Sequence, residues 1–152
     1  FLLIEKTINK NFAGTGIAKF VAGEAWKKSD KSTKKIYIDN FKRHLALNIA
    51  SMMQGYSDLT YELTKSKYDS KNQVTLIDME IFSDTGSVIV TWRVKESKDR
   101  FYVIDLIVAD ISLVVTKRSE FNSMLKKVDY DLSKFNEVLF EQNQISYNKI
   151  AN

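Results

Sequence analysis

The stretch IDMEIFSDTGSVIVTWRVKESKDRFYVIDLIV, Ile77 to Val108, decides the fold. Ile77, Met79 and Ile81 alternate with Asp78 and Glu80, and Val88, Val90, Trp92 and Val94 alternate with Thr91, Arg93 and Lys95. Successive side chains of a strand point to opposite faces, so this period of two predicts strands with one apolar and one polar face. The next run, Arg100 to Val108, is apolar on both faces apart from Asp105. Asp84-Thr85-Gly86 and Ser97-Lys98-Asp99 are short enough for hairpin turns, which makes the three runs an antiparallel meander. Just upstream, Leu59, Tyr61 and Leu63 alternate with Thr60, Glu62 and Thr64 and predict a further strand.

On both sides of this block the period is helical. Phe1 to Lys10 is a short amphipathic segment, Gly14-Thr15-Gly16 reads as a break, and Ile17 to Trp26 is a second apolar stretch. Asp30 or Ser32 can cap the next helix, because a side-chain oxygen there accepts unpaired first-turn N–H groups. That helix is predicted to run to about Gln54, with Gly55 as its stop, and Ile38, Phe41, Leu45, Ile49, Met52 and Met53 form its apolar stripe. After the strands, Leu113 to Lys127 and Leu132 to Asn143 read as helices, with Val128 to Asp131 between them. The expected fold is α+β: a curved four-stranded antiparallel sheet covered on one face by helices, in a single domain over residues 1–152. Side chains either fill the space between the layers, or the layers stand apart and enclose a hydrophobic pocket. Trp26, Phe41, Trp92 and Phe121 are bulky, and Met52, Met53, Met79 and Met124 suit a lining whose contents vary.

With 152 residues, 44% apolar and 28% charged, the chain is too apolar for disorder and long enough for one core. No run approaches the roughly 18 apolar residues that span a bilayer. The net charge of +4 comes from 23 Lys and Arg against 19 Asp and Glu, which mildly favours anionic partners. The absence of cysteine excludes disulfides, thiolate metal sites and a Cys nucleophile. The chain starts at Phe1 without a signal core, so a processed or trimmed product is expected.

Sites for chemistry are few. His44 is the one histidine and lies off the apolar stripe, which predicts a surface helix residue and leaves no His-dependent triad or zinc site. Gly14-Thr15-Gly16 lacks the GK[ST] ending of a phosphate loop, and no G-x-S-x-G elbow occurs. Asp78, Glu80 and Asp105 form the one acid/base constellation. Alternation puts Asp78 and Glu80 on the outer face, leaving Asp105 as the general base of an alternative reading, an isomerase or hydrolase on a cone-like α+β fold. A pure interaction module with a filled core is the other alternative. The lysine doublets Lys27-Lys28, Lys34-Lys35 and Lys126-Lys127 are scattered, and strand aromatics do not form an RNA platform, so no nucleic-acid partner is expected.

Three stretches read in order resemble the MlaC family, periplasmic phospholipid-binding proteins of the maintenance-of-lipid-asymmetry system, also called toluene-tolerance auxiliary proteins. Ile17 to Gly23, then Trp26-Lys27, then Phe41 to Leu45 are similar to the family's apolar segment, glycine, aromatic-basic pair and helix with "F+xxL". Phe101 to Ile107 is similar to its strand "WxVYDVII". Ile111 to Val114, with Lys117, Arg118, Phe121 and Leu125, is similar to "VSLVxNYRxxFxxxL", and Tyr56 stands where the family ends its long helix on a Tyr. The likeness covers about Phe12 to Phe140. Three departures stand out: Asp30-Lys31 for a Thr-Pro cap, Ala109-Asp110 for "EG", and Val128 to Asp131 for a Gly-rich link.

The resemblance implies a non-enzymatic, monomeric periplasmic shuttle with phospholipid as cargo and no cofactor or metal. It would pass lipid between an outer-membrane lipoprotein complex and an inner-membrane ABC-transporter complex, with only transient membrane proximity. On that expectation the acyl tails lie between Ile77, Met79, Ile81, Val90, Trp92, Ile104 and Leu106 on strands and Phe41, Leu45, Ile49, Met52, Phe121 and Leu125 on helices. Lys117 and Arg118, after the strand-to-helix turn, are the candidates for headgroup or partner contact.

Overall fold

Capping and turn chemistry set the element boundaries. The computed structural model describes residues 1–53 and 60–151. Helices α1 (Leu2–Asn11), α2 (Gly14–Ala22), α3 (Glu24–Lys27) and α4 (Lys31–Met53) precede strands β1 (Thr60–Asp69), β2 (Val74–Ser83), β3 (Gly86–Ser97), β4 (Arg100–Val108) and β5 (Ile111–Ser112). Helices α5 (Leu113–Lys126) and α6 (Leu132–Ala151) close the order. Asp30 caps α4 as expected: its carboxylate accepts the Thr33 N–H at 2.8 Å, and that bond holds its pKa below the usual value. Gly55, Tyr56 and Leu59 lie outside the described residues.

The strands pair in sequence order, all antiparallel. The sheet has five strands where the sequence predicts four, because Ile111 and Ser112 fold back onto Val108 and Ile107. Two residues are too short a segment for alternation to register. Two-residue turns with positive φ at both positions make two of the hairpins: Lys98 (51°) and Asp99 (62°), then Ala109 (50°) and Asp110 (65°). This left-handed turn matches the twist of the flanking strands.

Two other boundaries differ from expectation. Gly14-Thr15-Gly16 is the first turn of α2 rather than a break, and the chain bends one step earlier, at Phe12 and Ala13. A Cβ on Gly14 would stand 2.9 Å from Cε of the Lys42 side chain of α4, so a larger residue there would make that side chain shift. Helix α6 continues past Asn143 to Ala151, where Tyr147 packs edge-on to Phe1 at 5.6 Å.

The densest core belongs to the helices alone. Its fully buried members include Ala18 and Val21 of α2, Tyr37 and Phe41 of α4, Phe121 of α5 and Phe135 of α6. Phe41 and Phe121 meet edge-on at 5.8 Å, and Phe121 and Phe135 at 5.1 Å. Tyr37 donates its hydroxyl to the Ala18 carbonyl at 2.7 Å, and burial pushes its pKa up. Helix α6 is tied to α4 seven residues apart on each: Asn136 and Asn143 donate to the Thr33 and Asn40 carbonyls at 3.2 and 3.0 Å. The sheet joins this body along β4, where Phe12 bridges to Val103 and the Ala13 N–H donates to the Val103 carbonyl at 2.9 Å.

Candidate functional site

Cross-strand partners share a face, so the register shows which side chains stand together. One row runs Leu63, Met79, Val90, Val108, Ile111 and a second runs Ser66, Ile77, Trp92, Leu106. Flanking rows are Tyr61, Ile81, Val88 and Tyr68, Thr75, Val94, Val103. The predicted strand residues Ile77, Met79, Ile81, Val90, Trp92 and Leu106 therefore do share one face. Tyr61, Leu63, Val88, Val94, Val103 and Val108 complete it and were absent from the predicted set.

Ile104 departs from this pattern. The register slips between Arg93 and Val94, so Asp105 pairs with Arg93 while Val103 pairs with Val94, and Ile104 is the unpaired residue of a bulge. Strict alternation puts Ile104 with Leu106; the bulge gives that place to Val103. A bulge has no sequence signature in a run that is apolar on both sides.

The helices cover this face unevenly. Trp92 touches Phe12 at 6.5 Å, and Val90 and Leu106 are buried at 8% and 7% exposure. Ile77, Met79 and Ile81 on β2 are half-buried, while Tyr61 and Leu63 on β1 are 66% and 67% exposed. The apolar face is thus covered over β3 and β4 and opens towards β1, as a wedge. At one end of the sheet an open groove of about 390 Å³ is lined by Tyr68, Thr75, Val94 and Phe101 together with the polar Gln73, Lys95, Glu96, Ser97, Lys98 and Asp99. A smaller one of about 210 Å³ lies by Ile81 and Val88.

The helical candidates divide differently. Phe41, Leu45, Phe121 and Leu125 are sealed in the helical core, Ile49 is half-buried against it, and Met52 is exposed. The polar face of the sheet carries Asp78, which accepts from Thr91 at 2.7 Å, and Glu80, which accepts from Ser87 at 2.8 Å. Asp105, paired with Arg93, stands on that polar side too. Its carboxylate accepts the Leu106 and Val114 N–H groups at 2.8 and 3.1 Å and a short hydrogen bond from the Ser112 hydroxyl. Ser112 in turn caps α5 by accepting from Val115. This carboxylate builds the junction of β4, β5 and α5, and it does not face the apolar wedge.

His44 is not the surface residue the sequence suggests. It packs on Phe121 at 5.2 Å, where α4, α5 and α6 converge, and contacts Asn48 at 3.2 Å. Burial, with a smaller push from the Lys117 cation and against the opposing pull of the neighbouring Asn143 side chain, lowers its pKa to about 3. Lys117 is itself 8% exposed and pairs with Glu120 at 2.9 Å. Arg118 is exposed, with its guanidinium 4.5 Å from the centre of the Phe20 ring. Of the two predicted cations, Arg118 is the one open to an approaching anion. Among the described residues no group of three or more His, Asp or Glu side chains could hold a metal ion, and no helix is long and apolar enough to cross a membrane.

The sequence profile of the MlaC protein family matches residues 2–139. The structure is similar to that of a phospholipid-binding protein from Ralstonia solanacearum, solved in complex with a phospholipid. The two share 16% identity and superpose with a TM-score of 0.81, covering 100% of this chain and 82% of the other. No curated protein is significantly similar in sequence.

Proposed function

The chain belongs to the MlaC family, and from that premise we propose that it is a non-enzymatic phospholipid carrier formed by one lipid-binding domain. The observation that carries this reading is the apolar face left half-covered by the helices. A half-covered face leaves hydrocarbon in water, and an acyl chain laid on it removes both surfaces from water at once. The Ralstonia relative of the same fold supports the reading, since it was solved with a phospholipid.

The tails lie along Ile77, Met79, Ile81, Val90, Trp92 and Leu106, with Ile104, the bulge residue, beside that row. Ile49 and Met52 of α4 contribute the movable side, and Phe41, Leu45, Phe121 and Leu125 form the packed wall behind it. Arg118 meets the headgroup or a partner's acidic surface, and Lys117, held by Glu120, adds positive potential behind it. The carrier is periplasmic and exchanges lipid between an outer-membrane lipoprotein complex and an inner-membrane ABC-transporter complex.

Energetics fit exchange rather than storage. Each buried CH₂ is worth about 0.8 kcal/mol, so two chains of about 16 carbons gain on the order of 25 kcal/mol. A bilayer offers the same gain, so transfer is near balance and its direction comes from the partners.

Native mass spectrometry followed by solvent extraction tests the proposal: wild type should carry about one phospholipid per chain, within the non-covalent affinity range. Trp92→Glu puts a charge on the central row and should lower loading at least about tenfold, while circular dichroism shows a folded chain. Unchanged stoichiometry in folded Trp92→Glu, or a lipid-free wild type, would overturn it.

A further inference from the structure

We propose that β1 pairs with β1 of a second copy, antiparallel about a two-fold axis between Thr64 and Lys65, to form one continuous ten-stranded sheet. This inference does not depend on the lipid reading. β1 is the outer strand of the sheet, nine of its ten residues are exposed, and no strand pairs with its outer edge among the described residues. Such an edge is a row of unpaired N–H and C=O groups, a template for another strand.

The bulge in β1 makes that template self-complementary. Leu63 pairs with Met79 of β2, but Lys65 pairs with Asp78, so Thr64 is an extra residue. Before it, Tyr61 and Leu63 share the apolar face with Ile81 and Met79; after it, Ser66 and Tyr68 share the same face with Ile77 and Thr75. Glu62, Lys65 and Lys67 stand on the polar face, opposite Glu80, Asp78 and Leu76.

In an unbroken strand, an axis between two adjacent residues sets each side chain opposite one from the other face. Here the extra residue restores the match. Tyr61 meets Tyr68 of the second copy and Leu63 meets Ser66, all on the apolar face. Glu62 meets Lys67 on the polar face, and Lys65 has Glu62 of the second copy as its diagonal neighbour. Two-fold symmetry makes each of these contacts twice. Aromatic and opposite-charge cross-strand pairs are the favourable kinds. Moving the axis by half a residue, onto Thr64, would set Leu63 against Lys65 and Tyr61 against Lys67, apolar face against polar, which a sheet with one covered face resists.

Pairing also covers apolar side chains that the single chain leaves open on β1. Tyr61, Leu63 and Tyr68 are 61–67% exposed, and they stand at the open side of the wedge. The monomer expected from the sequence is then the dissociated form.

Sedimentation velocity from micromolar to millimolar chain should show a reversible monomer–dimer equilibrium. Glu62→Lys and Lys67→Glu should each weaken it by about tenfold or more, because each sets like charges opposite at two places. The double swap Glu62→Lys/Lys67→Glu should restore it to within about threefold, a rescue that a folding defect would not imitate. Because the chain has no cysteine, Leu63→Cys/Ser66→Cys should oxidise to a covalent dimer while neither single variant does. A wild type that stays monomeric to millimolar concentration, a double swap that fails to rescue, or an absent crosslink in the folded double-cysteine chain overturns the proposal.

Discussion

The helical body and the strand face are built from the same kinds of side chain and use them in opposite ways. Phe41, Phe121 and Phe135 have 0% exposure and interlock ring to ring, whereas Met79, Trp92 and Ile81 stand half-buried on the sheet. A sealed apolar group stabilises the fold through its own burial. A half-covered one leaves part of that gain for whatever comes to lie on it. One side of the molecule therefore holds the fold, and the other leaves apolar surface part-covered.

The largest expected effect separates the two sides directly. Phe121→Ala should cost about 3–5 kcal/mol in urea unfolding, as truncation of a buried aromatic does. Met79→Ala on the open face should cost about 1 kcal/mol in the ligand-free chain, because the lost methylenes were already part solvated. With phospholipid bound, the gap should narrow, since the ligand completes the burial of Met79. Equal losses in the ligand-free chain would make the strand face ordinary core and remove the basis for the wedge.

Next in size is a pH dependence centred on His44 in the helical body. His44 titrates near 3 in the folded chain against about 6.5 when unfolded. The unfolded chain therefore binds the extra proton first, and stability is fully present above about pH 6.5 and falls as pH drops towards 3. At pH 5 the loss is about 2 kcal/mol relative to pH 7.5. His44→Gln should flatten that slope in urea unfolding. An undiminished slope in His44→Gln would place the titrating group elsewhere.

The strand face was legible in the sequence because alternation is a direct physical signature, and the rows through Met79 and Trp92 follow it residue by residue. Ile104 was misplaced because a bulge changes the count without changing composition. The same holds for β1, where the slip at Thr64 brings Ser66 and Tyr68 onto the face of Leu63. The helical stripe was legible as a stripe, but periodicity carries no information on depth. Phe41 and Met52 belong to one apolar series and end with 0% and 47% exposure. His44 escaped because its burial comes from α5 and α6, more than 70 residues downstream in sequence, and a pattern within α4 does not report it. Family motifs covered the gap, since they tie distant segments together where local periodicity does not.

The smallest effect concerns the joint between the two sides. Ala109 and Asp110 both sit at positive φ in the turn from β4 to β5, where an L side chain crowds the following carbonyl. Asp tolerates this conformation better than Ala, because its short polar side chain can hydrogen-bond locally. Beyond the turn, Asp105 and Ser112 clamp the start of α5, so the turn conformation is imposed on it from both ends. Ala109→Gly should relieve the crowding and lose part of that gain to the freer unfolded chain, for a net stabilisation of about 0.5–1 kcal/mol. In a chain of this size that raises Tm by about 1–4 °C. Lipid loading should not change, because the turn joins the helical body to the sheet without forming the apolar face. A loss of loading with the expected gain in Tm would mean that this joint, and not the strand face alone, sets how far the wedge opens.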